Sequence, residues 1–119
     1  AAAASVPEDE PVVFFEEGSA VLSPEARGRV DRLARSIRKA GRRVSVSVVG
    51  FAGAEGAPDH TESLSARRAD AVRERLLEKG VSHSMLSVKG AGQDRRFSDG
   101  RARRVDLILV PEAVPETIN

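Results

Sequence analysis

Arg68 is the residue whose position calls for chemistry. Across 61–79 the apolar residues Leu64, Val72 and Leu76 recur whole helical turns apart, and Arg68 falls in the same row; Arg67, Asp70 and Arg73 lie off it. A guanidinium on a buried stripe needs a partner, because isolated buried charge is costly and arginine does not neutralise by losing its proton. Two solutions stay open. Arg68 pairs within the protein, with Glu55, Asp59 or Asp106, or it meets the carboxylate of a ligand. The stretch just before the helix, "GFAGAEG" at 50–56, is a tight glycine-rich turn of the kind that borders a binding site. Its one ionisable group is Glu55.

Catalysis has little else to draw on. The chain has no cysteine, which removes thiol catalysis, Cys-ligated zinc and disulfides together. His60 and His83 have no matching nucleophile–base set and no metal-ligand spacing, so no enzyme, metal site or cofactor is expected. His60, in the loop near Arg68, reads as a solvated loop histidine. "GAGQ" at 90–93 reads as a turn after a strand, and no helix with a third glycine follows to make it a dinucleotide fingerprint.

The formal net charge of +1 points to no partner class. Residues 27–43 hold eight basic residues against Asp31, which reads as the solvated outer face of a helix. With four phenylalanines and no Trp or Tyr, the chain lacks the stacking platforms of single-stranded nucleic-acid binders, and no nucleic acid is expected as partner. No apolar run approaches the roughly 20 residues of a transmembrane helix. No signal peptide is read either, so an exported or anchored parent is expected to carry that segment ahead of residue 1.

The elements that must position Arg68 follow from local pattern. At 119 residues the chain is expected to be one domain. Residues 1–11 ("AAAASVPEDEP") read as a linker, 12–110 as the folded domain and 111–119 as a tail. "VVFF" at 12–15 is a short buried strand. Ser23, Pro24 and Glu25 announce a helix whose apolar stripe is Ala26, Val30, Leu33, Ala34 and Ile37, with Gly41 at its C-terminal cap. "VSVSVVGF" at 44–51 alternates as a half-buried strand does, a second helix runs from about Thr61 to Lys79, and strands follow at 85–90 and 104–110. The order β-α-β-α-β-β predicts an α+β fold, a mixed sheet with both helices on one face.

"TESLSARRADAV" at 61–72 resembles the N-x-x-L-S-x-x-R-A-x-x-V signature of the OmpA-like C-terminal domain family, which includes OmpA, MotB and Pal. The flanks agree: "VVFFEEGSAVLSPEA" resembles the family's first strand and helix entry, "VSVSVVGFAGAEG" its second strand and G-H-T-D-x-x-G loop. "LSVKGAGQ" and "RARRVDLIL" are similar to its last two strands. The likeness spans about 12–110 and implies the same β-α-β-α-β-β sheet. It further implies a periplasmic domain of a membrane-associated bacterial envelope protein, anchoring to the cell wall by non-covalent binding of peptidoglycan. In the family an aspartate takes the ammonium of the stem peptide's diaminopimelate and an arginine takes its carboxylate.

Carried over position by position, the clamp arginine is Arg68. The loop histidine falls on Phe51, the threonine on Ala52, the aspartate on Gly53, the asparagine of the helix on Thr61 and that of the last strand on Ala102. The glycine frame at Gly50 and Gly56 stays while the polar groups facing the ligand are gone; Glu55 and Asp59 are the acids that stand close enough to compensate. Two functions remain open on these residues. One is a peptidoglycan-binding domain with a weakened or altered site. The other is an OmpA-like fold kept as a protein-interaction or dimerisation module, with Arg68 paired internally and envelope proteins or a second copy as partner.

Overall fold

In the computed structural model, which describes residues 10–41 and 44–111, the elements are β1 (Val12–Phe14), α1 (Pro24–Ala40), β2 (Val44–Ala52), α2 (Pro58–Glu78), β3 (Leu86–Gln93) and β4 (Arg104–Pro111). They form the expected α+β arrangement. The sheet order is β1-β4-β2-β3: β4 lies antiparallel to both β1 and β2, and β3 lies parallel to β2 across the α2 connection. Both helices pack on the face that carries Val13, Val46, Val48, Val105 and Leu107. Among the described residues, no helix is long and apolar enough to cross a membrane.

α1 is built as its sequence predicts. The Ser23 hydroxyl accepts from the Ala26 amide at 3.1 Å, and Gly41, at φ 67°, closes the helix with its amide on the Ile37 and Arg38 carbonyls. The predicted stripe, Ala26 to Ile37, is buried throughout. Asp31, on the α1 flank, bridges to Arg75 of α2 at 2.8 Å and ties the two helices together.

Apart from shifts of one residue at other element ends, three differences from expectation bear on the site and its sheet. α2 starts at Pro58 instead of Thr61, because Ala57 is extended and Pro58, with its fixed φ, already occupies the first helical position. "GAGQ" is not a turn but the end of β3. Gly50 pairs with Gly90 and Ala52 with Gln93, so β3 carries one extra residue, and Gly92 at φ 78° absorbs the bulge. β4 runs on to Pro111, which pairs with Val44, while the Pro11 carbonyl accepts from the Leu107 amide at 2.9 Å. The remainder of the expected linker and tail, 1–9 and 112–119, lies outside the described residues.

The placement of α2 decides where Arg68 sits. At Gly50 and Gly90 the sheet has no side chains, and α2 rests directly on its backbone: a β-carbon on Gly90 would stand 2.6 Å from the Ala66 nitrogen. Ser65, fully buried, takes the Gly92 amide onto its hydroxyl at 2.9 Å and donates to the Glu62 carbonyl at 2.8 Å. Strand bulge and helix are thereby locked in register one turn before Arg68.

Candidate functional site

Arg68 is completely buried, and all five of its N–H donors are used. Three go to backbone carbonyls: Nε to Ser19 at 2.8 Å, one terminal nitrogen to Phe51 at 3.1 Å and the other to Glu16 at 3.1 Å. The last two form a fork on the Glu55 carboxylate, at 2.9 Å to Oε2 and 2.7 Å to Oε1. The ring of Phe15 lies 5.4 Å from the guanidinium carbon and completes the cage. One side chain thus joins the β1–α1 loop, the end of β2, the β2–α2 loop and α2.

Glu55 is hydrogen-bonded on both of its oxygens. Its side chain is 3% exposed, and besides the fork it accepts the Gly18 amide at 2.6 Å and the Gly53 amide at 2.7 Å. Burial pushes its pKa up. The Arg68 hydrogen bonds, the two amides and the Arg68 charge pull harder the other way and hold it at about 2, below the ordinary 4.5. Of the three acids weighed from sequence, Glu55 is the one that reaches Arg68. Asp59 is exposed on the first turn of α2, with its carboxylate on the His60 amide at 3.1 Å. Asp106 pairs with Arg104 at 3.0 Å.

The remaining carried-over positions are packed into the scaffold around Arg68. Gly53 is buried and has an ordinary φ; a β-carbon there would meet Ala102 Cβ at 3.4 Å, Arg103 Cγ at 3.8 Å and Glu55 Oε2 at 3.8 Å. Ala52 is buried, and its carbonyl accepts the Asp94 amide at 2.8 Å. Thr61 is buried too, with its hydroxyl turned back to the Pro58 carbonyl at 2.9 Å inside α2. Phe51 contributes its carbonyl to Arg68 and nothing from its ring, which the Arg104 guanidinium covers at 4.1 Å. His60 is exposed, its ring below Gly56. Among the described residues, no group of three or more His, Asp and Glu could hold a metal ion.

Sequence reasoning missed two contributors. The carbonyls of Glu16 and Ser19 grip Arg68 because Gly18, at φ 70°, bends the loop and aims its own amide at Glu55. Beside the loop, buried Asp94 bridges Arg96 and Arg104, each at 2.8 Å. The Arg96 hydrogen bond, followed by those of the Arg96 amide and Arg104, overcomes burial and holds the Asp94 carboxyl well below the ordinary carboxylate range. The signal for the second contributor was present: Asp94, Arg96, Arg104 and Asp106 alternate around two strand ends.

The model of the OmpA family matches residues 14–108. Outer membrane protein A of Yersinia pseudotuberculosis is 37% identical over 82 residues, covering 68% of this chain and 23% of that protein. The peptidoglycan-associated lipoprotein of Pseudomonas aeruginosa is 32% identical over 101 residues, covering 79% of this chain and 59% of that one. The chain therefore spans less than two thirds of either relative. The C-terminal domain of Helicobacter pylori MotB superposes with a TM-score of 0.79 at 24% identity, over 86% of this chain and 85% of that structure, and so shares the fold.

Proposed function

Because the chain belongs to the OmpA family, we propose that it is the non-enzymatic periplasmic domain of a membrane-associated envelope protein, and that it associates non-covalently with peptidoglycan. The association is weaker than that of a family member with the complete G-H-T-D loop. One relative bears the name peptidoglycan-associated lipoprotein, and Arg68 stands where the family places its carboxylate-binding cation. The observation that carries the weakened reading is at Gly53. The position expected to hold the ammonium-binding aspartate would admit a β-carbon in van der Waals contact with its neighbours, and it offers no side chain. A charge-assisted hydrogen bond of that type contributes roughly 1.5–3 kcal/mol, so its loss lowers affinity about ten- to a hundred-fold.

The test is co-sedimentation of the purified domain with insoluble peptidoglycan, beside an OmpA-family domain that carries the full loop. Less of this domain should sediment, and added salt should reduce that fraction further, because the attraction left without the loop aspartate is mainly electrostatic. Tight, salt-resistant sedimentation would refute the weakened reading.

A second reading, an interaction module, draws support from β4. Among the described residues β1 pairs with Arg104–Asp106, and further along β4 Ile108, Leu109 and Val110 form an exposed apolar run. Light scattering over a concentration series distinguishes the two: a stable dimer of a domain that does not sediment with peptidoglycan favours the module.

A further inference from the structure

The five donors of Arg68 do not have equal standing. Three are spent on carbonyls, two in the β1–α1 loop (Glu16 and Ser19) and one on β2 (Phe51). All three come from outside the β2–α2 loop, so they hold the guanidinium through contacts that Glu55 does not itself make. The two that remain, one on each terminal nitrogen, form the parallel fork that suits a carboxylate. Two backbone amides, Gly18 and Gly53, converge on the same pair of oxygens. An arginine held by three carbonyls, with two converging amides, makes a seat for one carboxylate.

The group in that seat comes from a short loop. Residues 53–57 link β2 to α2, Glu55 is flanked by Gly53 and Gly56, and Ala54, Gly56 and Ala57 are exposed. Within the loop the backbone makes one turn bond, from the Glu55 amide to the Gly53 carbonyl at 2.9 Å. The carboxylate therefore sits on a segment whose side chains pack little against the core, while the arginine beneath it is immobilised.

We infer that Glu55 is the specificity-determining residue of this site: its carboxylate is an intramolecular occupant of the seat on Arg68, and an external carboxylate binds by displacing it. The inference rests on the reading above that Arg68 is the ligand's carboxylate partner. A tethered competitor weakens every carboxylate ligand by the fraction of time the seat is open. If it is open in about one molecule in ten, apparent affinity falls about ten-fold. Protonation does not open it near neutrality, since the carboxyl stays ionised down to about pH 2. Displacement is by competition.

Two probes test this, acetate and a diaminopimelate-containing stem peptide, on wild type, Glu55→Ala and Glu55→Ala/Arg68→Ala. Acetate should raise the melting temperature of Glu55→Ala above that in chloride of equal ionic strength, and should do so neither in wild type nor in the double variant. Calorimetry should show the peptide binding Glu55→Ala at least ten-fold tighter than wild type. A folded Glu55→Ala with no acetate-specific shift, or with measurable peptide binding no tighter than that of wild type, overturns the inference. If Glu55→Ala does not fold, Glu55→Gln keeps the shape and removes the charge. A several-fold gain in peptide affinity is then expected, and none overturns the inference. An acetate shift in Glu55→Ala without peptide binding by any variant would keep the carboxylate seat and sink the peptidoglycan reading.

Discussion

The β-carbon that Gly50 lacks would collide with the backbone carbonyl of Ser65, so β2 and α2 meet through main chain at this point. The same holds at Gly90 against Ala66, on the neighbouring strand. Gly50→Ala should therefore force α2 off the sheet, and because backbone cannot rotate aside the cost should reach or exceed the upper end of the roughly 1–3 kcal/mol typical of overpacking. Urea melts measure it. Gly28→Ala is the control: a β-carbon there meets one Arg32 guanidinium nitrogen at 3.7 Å, and no loss is expected.

Arg68→Ala strands the buried Glu55 carboxylate and three carbonyls, and should lower stability by roughly 3–5 kcal/mol. Arg68→Lys should recover little, since an ammonium cannot form the fork. Arg75→Ala removes a bidentate pair with Asp31 that solvent reaches, and should cost far less than Arg68→Ala. Equal losses for Arg68→Ala and Arg75→Ala in denaturant melts would contradict this account of the buried pair.

Acid should weaken the fold in a defined window. The Glu55 carboxyl is depressed in the folded state, so its contribution is fully present above the unfolded value of 4.5 and is lost as pH falls toward about 2. Asp94, also depressed, adds to the same loss. Wild type should lose stability steeply from about pH 4.5 to about 2, and Glu55→Gln, less stable at pH 7, should lose less over that interval. Thermal melts across the range check the sign; parallel curves for both proteins would count against it.

Gly53→Asp alone should not restore ammonium binding. The backbone permits it, because φ is ordinary and the nearest side chain, Ala102, would be in van der Waals contact. The new carboxylate, however, would arrive beside Glu55 Oε2, and like charges at that distance repel. Moving the acid, as Gly53→Asp with Glu55→Ala, vacates the seat and supplies the ammonium partner together. Calorimetry with the diaminopimelate peptide should rank the double variant above both single ones by several-fold.

Local pattern was enough for the elements and for the anomaly at Arg68. The caps of α1, its apolar stripe and the alternation in β2 depend on neighbours within a few residues, and the structure follows them. That a guanidinium lay in the α2 stripe, and needed a partner, was equally local. Which partner it took was not. With the helix expected to start near Thr61, Asp59 and Glu55 both stood on a loop in front of it. Once Pro58 opens α2, Asp59 stands nine residues ahead of Arg68, about half a turn round the helix, and faces away. Glu55 stays on the loop and turns in. The carbonyls of Glu16 and Ser19 come from about fifty residues away and carry no side-chain signature, since every residue has one. Chain periodicity could place Arg68 in the core; the direction of one short loop, set by the packing of α2 on Gly50 and Gly90, decided that it was already bound.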